Sequence, residues 1–283
     1  MKKGLVLEGG AMRGMYTAGV IDVLLENGME FDGAVGVSAG AVFGCNYKSK
    51  QIGRTIRYNK RFSRDKRFGG MHSLITTGNY YNVEFGYEDI PFKYDVFDIK
   101  TFKENPMEFY VVATNVETGK PEYYKCENGD RKDVKWMRAS ASMPLVSKVV
   151  EIDGKGYLDG GISDSIPIRW FREIGYKRNV VILTRPLEYR KKDSKMQGII
   201  SFVMRKYPNV VKAMKSRAKD YNETLDEIAR LEEQGDTYVI RPSENLNIKR
   251  TEKNPEELER VYQIGRKDGM KKLEEVKAFL AKE

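Results

Sequence analysis

One histidine, two cysteines and no apolar run long enough to cross a bilayer are the conspicuous scarcities of this 283-residue chain. The single histidine excludes any site that needs two. Cys45 and Cys126 cannot build a disulfide framework or a four-thiolate zinc site. Their wide separation reads as two reduced thiols of a cytosolic protein. After Met1-Lys2-Lys3 the apolar run Leu5–Leu7 stops at Glu8, too short for the core of a signal peptide. No stretch approaches the roughly 20 apolar residues of a spanning helix. The expectation is a cytoplasmic protein without signal peptide or transmembrane segment, free to touch a membrane peripherally. Internal repeats, low-complexity linkers and a Walker A loop are also missing.

Hydrophobic residues make up 40% of the chain and aromatics 11%, which excludes a disordered or fibrous protein. The length suits one large α/β domain or two small ones. The net charge of +9 is uneven. Residues 48–67 hold nine basic side chains against Asp65, and residues 185–219 hold eleven against Glu188 and Asp193. Together the two segments carry +17, leaving −8 for the rest. Such density attracts phosphate groups or simply solvates a face. No nucleic-acid motif or spaced stacking aromatics accompany it, so nucleic acid is not an expected partner.

Leu5-Val6-Leu7 reads as a short buried strand entering a glycine turn, and Met15–Leu25 has helical spacing ending at Asn27-Gly28. Ala34–Val37 is a second buried strand, followed by a helix from Ala39. This repeated order predicts a mainly parallel sheet with helices against it. Phe109–Thr114, Val180–Leu183 and Thr237–Ile240 read as further strands, and Val149–Tyr157 as a hairpin turning at Asp153-Gly154. Helices are expected over 198–233, interrupted at Pro208, and over 256–281. Because a strand returns after the basic helical stretch, 186–235 reads as an elaboration of one domain, completed by a strand and helix over 236–283.

Three short segments can carry chemistry. Gly36-Val37-Ser38-Ala39-Gly40 fits G-x-S-x-G between a strand and a helix, the setting in which a sharp turn exposes a serine hydroxyl. An ordinary small-residue turn fits it equally well. A serine nucleophile needs a base, and His72, the only histidine, lies in a loop-like segment where a surface role is the usual one. Asp159, followed by Gly160-Gly161, supplies a carboxylate at a strand end, although alone it reads as an Asp-Gly turn. Gly9-Gly10-Ala11-Met12-Arg13-Gly14 fails the dinucleotide pattern G-x-G-x-x-G. As a glycine turn before a helix it offers backbone N–H groups to an anion, such as an oxyanion, with Arg13 adding charge.

The ordered set of Leu7-Glu8-Gly9-Gly10-Ala11-Met12-Arg13-Gly14, Gly36–Gly40 and Asp159-Gly160-Gly161 resembles the three signatures of patatin-like phospholipases. Ala139-Ser140-Ala141-Ser142-Met143-Pro144 resembles the segment that precedes the aspartate motif. The likeness spans about residues 4–172, with 173–283 as an extension of the same domain, and is greatest to bacterial members with Glu before the glycines. It implies a three-layer α/β/α fold with a mainly parallel sheet and a helical C-terminal elaboration. It also implies a Ser38–Asp159 dyad, with the amides of Gly9, Gly10 and Ala11 as oxyanion hole and Arg13 beside them. Gly14, Gly36, Gly40, Gly160 and Gly161 are the motif glycines. Ala11 stands where the family usually carries a third glycine.

The resemblance implies a lipid acyl hydrolase that cleaves carboxylic esters through an acyl-enzyme, with no metal and no cofactor. A soluble hydrolase of small esters or thioesters, and a noncatalytic lipid- or anion-binding protein on the same fold, are the alternatives. Tyr80, Tyr81, Phe85 and Tyr87 suit either an acyl groove or the core, and the core is the expectation.

Overall fold

The structure, a computed structural model, describes residues 1–282. Eight strands form one sheet: β1 (Lys3–Leu7), β2 (Gly33–Val37), β3 (Glu108–Asn115), β4 (Pro121–Cys126), β5 (Val150–Ile152), β6 (Lys155–Asp159), β7 (Arg178–Ile182) and β8 (Thr237–Ile240). The first helices are α1 (Gly14–Glu26), α2 (Ala39–Lys48), α3 (Arg54–Phe62), α4 (Met71–Thr77) and α5 (Ile99–Glu104). Then come α6 (Arg131–Ser140), α7 (Ile168–Glu173), α8 (Gln197–Val203), α9 (Pro208–Glu233) and α10 (Pro255–Ala281). Among the described residues no helix is long and apolar enough to cross a membrane.

The strand order is β5-β6-β3-β2-β1-β7-β8, with β4 also paired to β3. β3, β2, β1, β7 and β8 run parallel. β4 and β6 run antiparallel to β3, and β5 to β6. The parallel strands are short apolar runs because both of their faces are covered. Leu5, Leu7, Ala34 and Phe109 point to one face, where Tyr16 and Val20 of α1, Phe43 of α2 and Val261 of α10 pack. Val6, Val35, Val37 and Val112 point to the other, against Phe171 of α7 and Tyr221 and Ile228 of α9. The fold is therefore a three-layer α/β/α arrangement around a mixed, mostly parallel sheet.

Asp153 and Gly154 both have positive φ, 48° and 78°, as the expected tight hairpin turn requires. The helix expected over 198–233 is two helices, with Pro208 as the first residue of the second. Proline lacks an N–H and is best tolerated there. β4, α3 and α6 were not foreseen, α3 because its basic residues conceal its apolar positions. Cys45 and Cys126 are buried free thiols.

The first basic run is largely engaged within the protein. Arg54 is buried, with its guanidinium on Asp95 and Asn46, and Arg57 pairs with the same Asp95 carboxylate. Lys60 and Arg64 reach Glu259 and Glu256 of α10, and Arg67 pairs with Asp65. The charge therefore ties α3 to α10, leaving less of it to face a partner.

Residues beyond 172 supply two strands of the sheet, β7 beside β1 and then β8. α10 crosses α1 at backbone contact. A Cβ on Gly19 would lie 2.1 Å from the Tyr262 carbonyl oxygen, and one on Gly265 would lie 2.1 Å from that of Tyr16. The Tyr262 hydroxyl donates to Asp22 of α1 at 2.7 Å. Replacing Gly265 with Ala is expected to force the helices apart and cost about 1–3 kcal/mol. A urea titration checks this, and an unchanged midpoint would contradict so close a crossing.

Candidate active site

Ser38 lies between the end of β2 and the start of α2 with φ 55° and ψ −118°, a conformation that costs a non-glycine residue about 1–3 kcal/mol. The surroundings hold it there. A Cβ on Gly36 would lie 2.3 Å from the Gly40 carbonyl oxygen, and one on Gly40 would lie 2.4 Å from that of Leu7. Only glycines let β1, β2 and the start of α2 approach so closely. The Ser38 N–H donates to the buried Ser140 hydroxyl at 2.9 Å, while the Ser38 carbonyl accepts from Ala41 and Val42.

Asp159 ends β6, and the sheet register sets its height. Val37 lies opposite Val112, and Asp159 lies opposite Ala113, so Ser38 and Asp159 stand level on either side of β3. A Cβ on Gly160 would fall 2.1 Å from the Val112 carbonyl, so glycine is needed for the chain to turn there. Asp159 Oδ1 accepts the Gly161 N–H at 2.7 Å. Oδ2 is buried with no hydrogen-bond partner among the described residues. The end of α6 and the residues just after it link both: the Ser140 hydroxyl accepts the Ser38 amide, and the Ser142 carbonyl accepts the Asp159 amide at 2.8 Å.

The Gly9-Gly10-Ala11 loop leaves β1 and enters a 3₁₀ turn over Ala11–Arg13. It lies against the serine, since a Cβ on Gly9 would be 3.1 Å from that of Ser38. The N–H groups of Gly9, Gly10 and Ala11 have no acceptor among the described residues. Ala11 has φ 49°, a left-handed conformation that costs an L-residue about 1–2 kcal/mol. Glu8, buried at the base of the loop, accepts from the Thr184 N–H at 2.5 Å, the Thr184 hydroxyl at 3.0 Å and the Tyr221 hydroxyl at 2.7 Å. It therefore fastens the loop to the end of β7 and to α9.

Ser38 opens onto a cavity of about 530 Å³, within the range of lipid- and drug-sized pockets. Met12, Phe43, Leu145, Val146, Ile200 and Met214 give it an apolar lining. Tyr80, Tyr81 and Tyr87 also line it, contrary to their expected core role, whereas Phe85 is buried against Phe62 and Tyr94. His72 is exposed on α4 and lines none of this site. Among the described residues no group of three or more His, Cys, Asp or Glu side chains is placed to hold a metal ion.

Burial raises the pKa of Asp159 above the ordinary carboxylate value. The Ser38 hydroxyl, the Arg217 guanidinium, the Gly161 N–H and Arg250 oppose that rise. Ser38 thus lies near enough to favour the ionised carboxylate, although its hydroxyl makes no hydrogen bond of ordinary geometry with it. Arg217, on α9, donates Nε–H to the Gly161 carbonyl. Neither Arg217 nor the Glu8–Tyr221 pairing was visible beforehand, because no local pattern joins residues more than fifty positions apart. Ser140 had one signal, the Ala-Ser-Ala-Ser segment.

A family model described as patatin-like phospholipase matches residues 5–171, and one described as a domain of unknown function matches 207–281. An uncharacterized protein of Escherichia coli, YjjU, is 32% identical over 64% of this chain and 52% of its own length. A lysophospholipase, nte1, of Aspergillus terreus is 30% identical over 61% of this chain but 11% of its own length. The chain thus spans about half or less of the curated relatives it matches. The crystal structure of VipD from Legionella pneumophila aligns with a TM-score of 0.48 at 16% identity, over 97% of this chain and 67% of that one.

The folded protein holds the Asp159 proton more tightly than the unfolded chain does, so its ionisation opposes folding. The contribution of Asp159 to stability is greatest below the ordinary carboxylate pKa of about 3.9 and declines as pH rises through the raised, folded value. Asp159→Asn keeps an oxygen for the Gly161 N–H without that charge. Its urea midpoint at pH 7 is expected to equal or exceed that of the wild type, with the margin narrowing toward pH 4. A clearly lower midpoint at pH 7 would show the carboxylate to be a stabilising group.

Proposed function

The chain belongs to the patatin-like phospholipase family, and from that premise we propose that it is a lipid acyl hydrolase acting through Ser38 and Asp159. The observation that carries the reading is the buried, unpartnered Oδ2 of Asp159 beside a strained, accessible Ser38 on the wall of an apolar cavity. Ser38 Oγ attacks the ester carbon as Asp159 takes its proton. The carbonyl oxygen becomes an oxyanion within reach of the unpaired N–H groups of Gly9, Gly10 and Ala11, with Arg13 adding charge. Collapse expels the alcohol, which receives the proton from Asp159, and leaves an ester on Ser38. Water then attacks that ester, giving a proton to Asp159 and releasing the fatty acid as Ser38 regains its hydrogen. The raised pKa of Asp159 makes it a better base than an exposed aspartate. The fungal relatives named lysophospholipase support a lipid ester as substrate.

We read 4–172 as the catalytic core and 173–283 as its extension within one folding unit, in keeping with the place of β7 and β8 in the sheet. The protein works at a membrane surface, on this reading. α8, beside the cavity mouth, exposes Ile199, Phe202 and Val203, and Met196 and Leu187 are exposed nearby. Lys192, Lys195, Arg205 and Lys206 surround this patch in the second basic segment. Apolar side chains ringed by cations suit the boundary between acyl chains and anionic head groups.

A fluorophosphonate probe followed by mass spectrometry tests the chemistry. One adduct at Ser38 is expected, absent in Ser38→Ala and formed at least ~10²-fold more slowly in Asp159→Asn. Failure of the folded wild type to label would leave a binding protein on this fold.

Vesicle co-sedimentation tests the surface. Binding to phosphatidylglycerol vesicles is expected to fall more than tenfold between 0.05 and 0.5 M salt, as screening weakens cations worth about 1 kcal/mol each. Phe202→Asp is expected to weaken it comparably at low salt. Salt-independent binding, or none, would overturn the membrane contact.

A further inference from the structure

Next to the apolar chamber, and sharing Ser38, Lys191, Arg217 and Arg250 with its lining, lies a smaller cavity of about 60 Å³. This is several times the roughly 10–15 Å³ that one water requires. Its walls carry five cations, Arg13, Arg185, Lys191, Arg217 and Arg250, against two carboxylates, Glu8 and Asp159. None of the five forms an ion pair among the described residues. Both oxygens of Glu8 are already occupied by the neutral donors Thr184 and Tyr221. Arg13 is half-buried, and its buried Nε–H has no partner among the described residues. Arg185 and Lys191 lie over the rings of Tyr189 and Tyr221, at 4.4 and 4.3 Å, which holds their charged ends in place.

A half-buried group of like charges is costly unless an anion completes it. Burial and the neighbouring arginines, Arg217 first, lower the Lys191 pKa to about 7, and Arg13 is lowered to about 10 by burial and Arg185. The unpaired guanidiniums lining one cavity are an arrangement that an anion would complete. A single developing oxyanion, served by three backbone N–H groups, does not call for five cations drawn from four stretches of chain. Four of the five come from beyond residue 172, in the extension rather than the motif-bearing core.

We propose that this cavity is a subsite for a phosphate monoester, so that the preferred substrate is an acylglycerol phosphate whose acyl chain occupies the large chamber. The proposal rests on the reading of Ser38 as nucleophile. The geometry fits that division: Ser38 lines both cavities, where an ester between acyl chain and glycerol phosphate would lie, Lys191, Arg217 and Arg250 stand on the border between them, and Arg13 and Arg185 line the smaller one alone. A choline head group is disfavoured by the same features, since its quaternary ammonium would meet the like charges of Arg13, Arg185, Arg217 and Arg250. Binding of free phosphate uses the same chemistry, and the experiment separates it from a lipid head group.

The test compares hydrolysis of 1-oleoylglycerol 3-phosphate and 1-oleoylglycerol by the wild type, Arg185→Gln, Arg250→Gln and the double variant. Arg250 is exposed, so its replacement does not threaten folding, and thermal melts check the others. The ratio of kcat/KM, phosphate ester over neutral ester, is expected to fall about 10–100-fold per variant, the scale of one charged hydrogen bond. Equal losses on both esters would overturn the subsite while leaving the hydrolase reading intact. Calorimetry on Ser38→Ala with glycerol 3-phosphate and with inorganic phosphate supplies an arm independent of turnover. Binding of glycerol 3-phosphate that weakens in Arg185→Gln/Ser38→Ala supports the subsite even if the wild type hydrolyses neither ester, in which case the hydrolase reading alone fails. Inorganic phosphate binding as tightly as glycerol 3-phosphate, with no preference in turnover, would mark a free-anion site, and binding of neither would overturn the proposal.

Discussion

The site depends on one steric constraint, the absence of side chains where β1, the Ser38 turn and α2 meet. Gly36 and Gly40 bring three backbones within a distance that any Cβ would violate. That approach holds Ser38 at positive φ, turns its hydroxyl away from the sheet and frees the first turn of α2 to sit behind it. The Gly9-Gly10 loop can then close over the same spot. The backbone strain at Ser38 and Ala11 is small beside the packing that enforces it, with Leu5, Leu7, Val35 and Val37 all fully buried.

The second constraint is electrostatic. An aspartate buried to this degree is ordinarily neutral, and burial raises its pKa here. Arg217 offsets part of that, but it is itself buried enough for its own pKa to fall. The pair is not a closed salt bridge: Arg217 spends Nε–H on the Gly161 carbonyl, and Asp159 keeps Oδ2 unbonded. A fully satisfied carboxylate would be a poor proton acceptor. Incomplete satisfaction costs stability, and under the proposed mechanism it is what would leave a base available.

What the sequence disclosed and what it hid divide along the same line. The short buried strands, the helix over 256–281 and the break at Pro208 were legible because each is set by neighbours within a few residues. The glycine loop, the turn at Ser38 and the strand end at Asp159 were legible as local structure, since each rests on a contiguous pattern. The register that sets Asp159 level with Ser38 across β3 was not legible, because it depends on an antiparallel strand inserted into a parallel order. The roles of Glu8, Tyr221 and Arg217 escaped for the same reason. The aromatic residues at 80, 81 and 87 gave the wrong expectation because composition distinguishes a cavity wall from a core poorly: both are apolar, and they differ only in whether an atom lies opposite.

The two basic segments look alike as strings of Lys and Arg, yet the structure gives them different fates. In 48–67, five of the nine basic side chains pair with Asp95, Asp65 or acids of α10, and these contacts fasten α3. In 185–219, Arg190 and Lys219 have acidic partners, while Arg185, Lys191 and Arg217 turn inward around Ser38 and the remaining cations face outward beside an exposed apolar helix. Under the proposals above, the inward cations without counter-anions and the outward cations near apolar side chains would suit one kind of molecule at two depths, with an anionic head and an apolar tail. The extension that supplies both also supplies β7, the neighbour of β1. Arg185, close after the end of β7, and Arg217, on the helix that packs against the sheet through Tyr221 and Ile228, are thus carried by the same extension that completes the centre of the sheet.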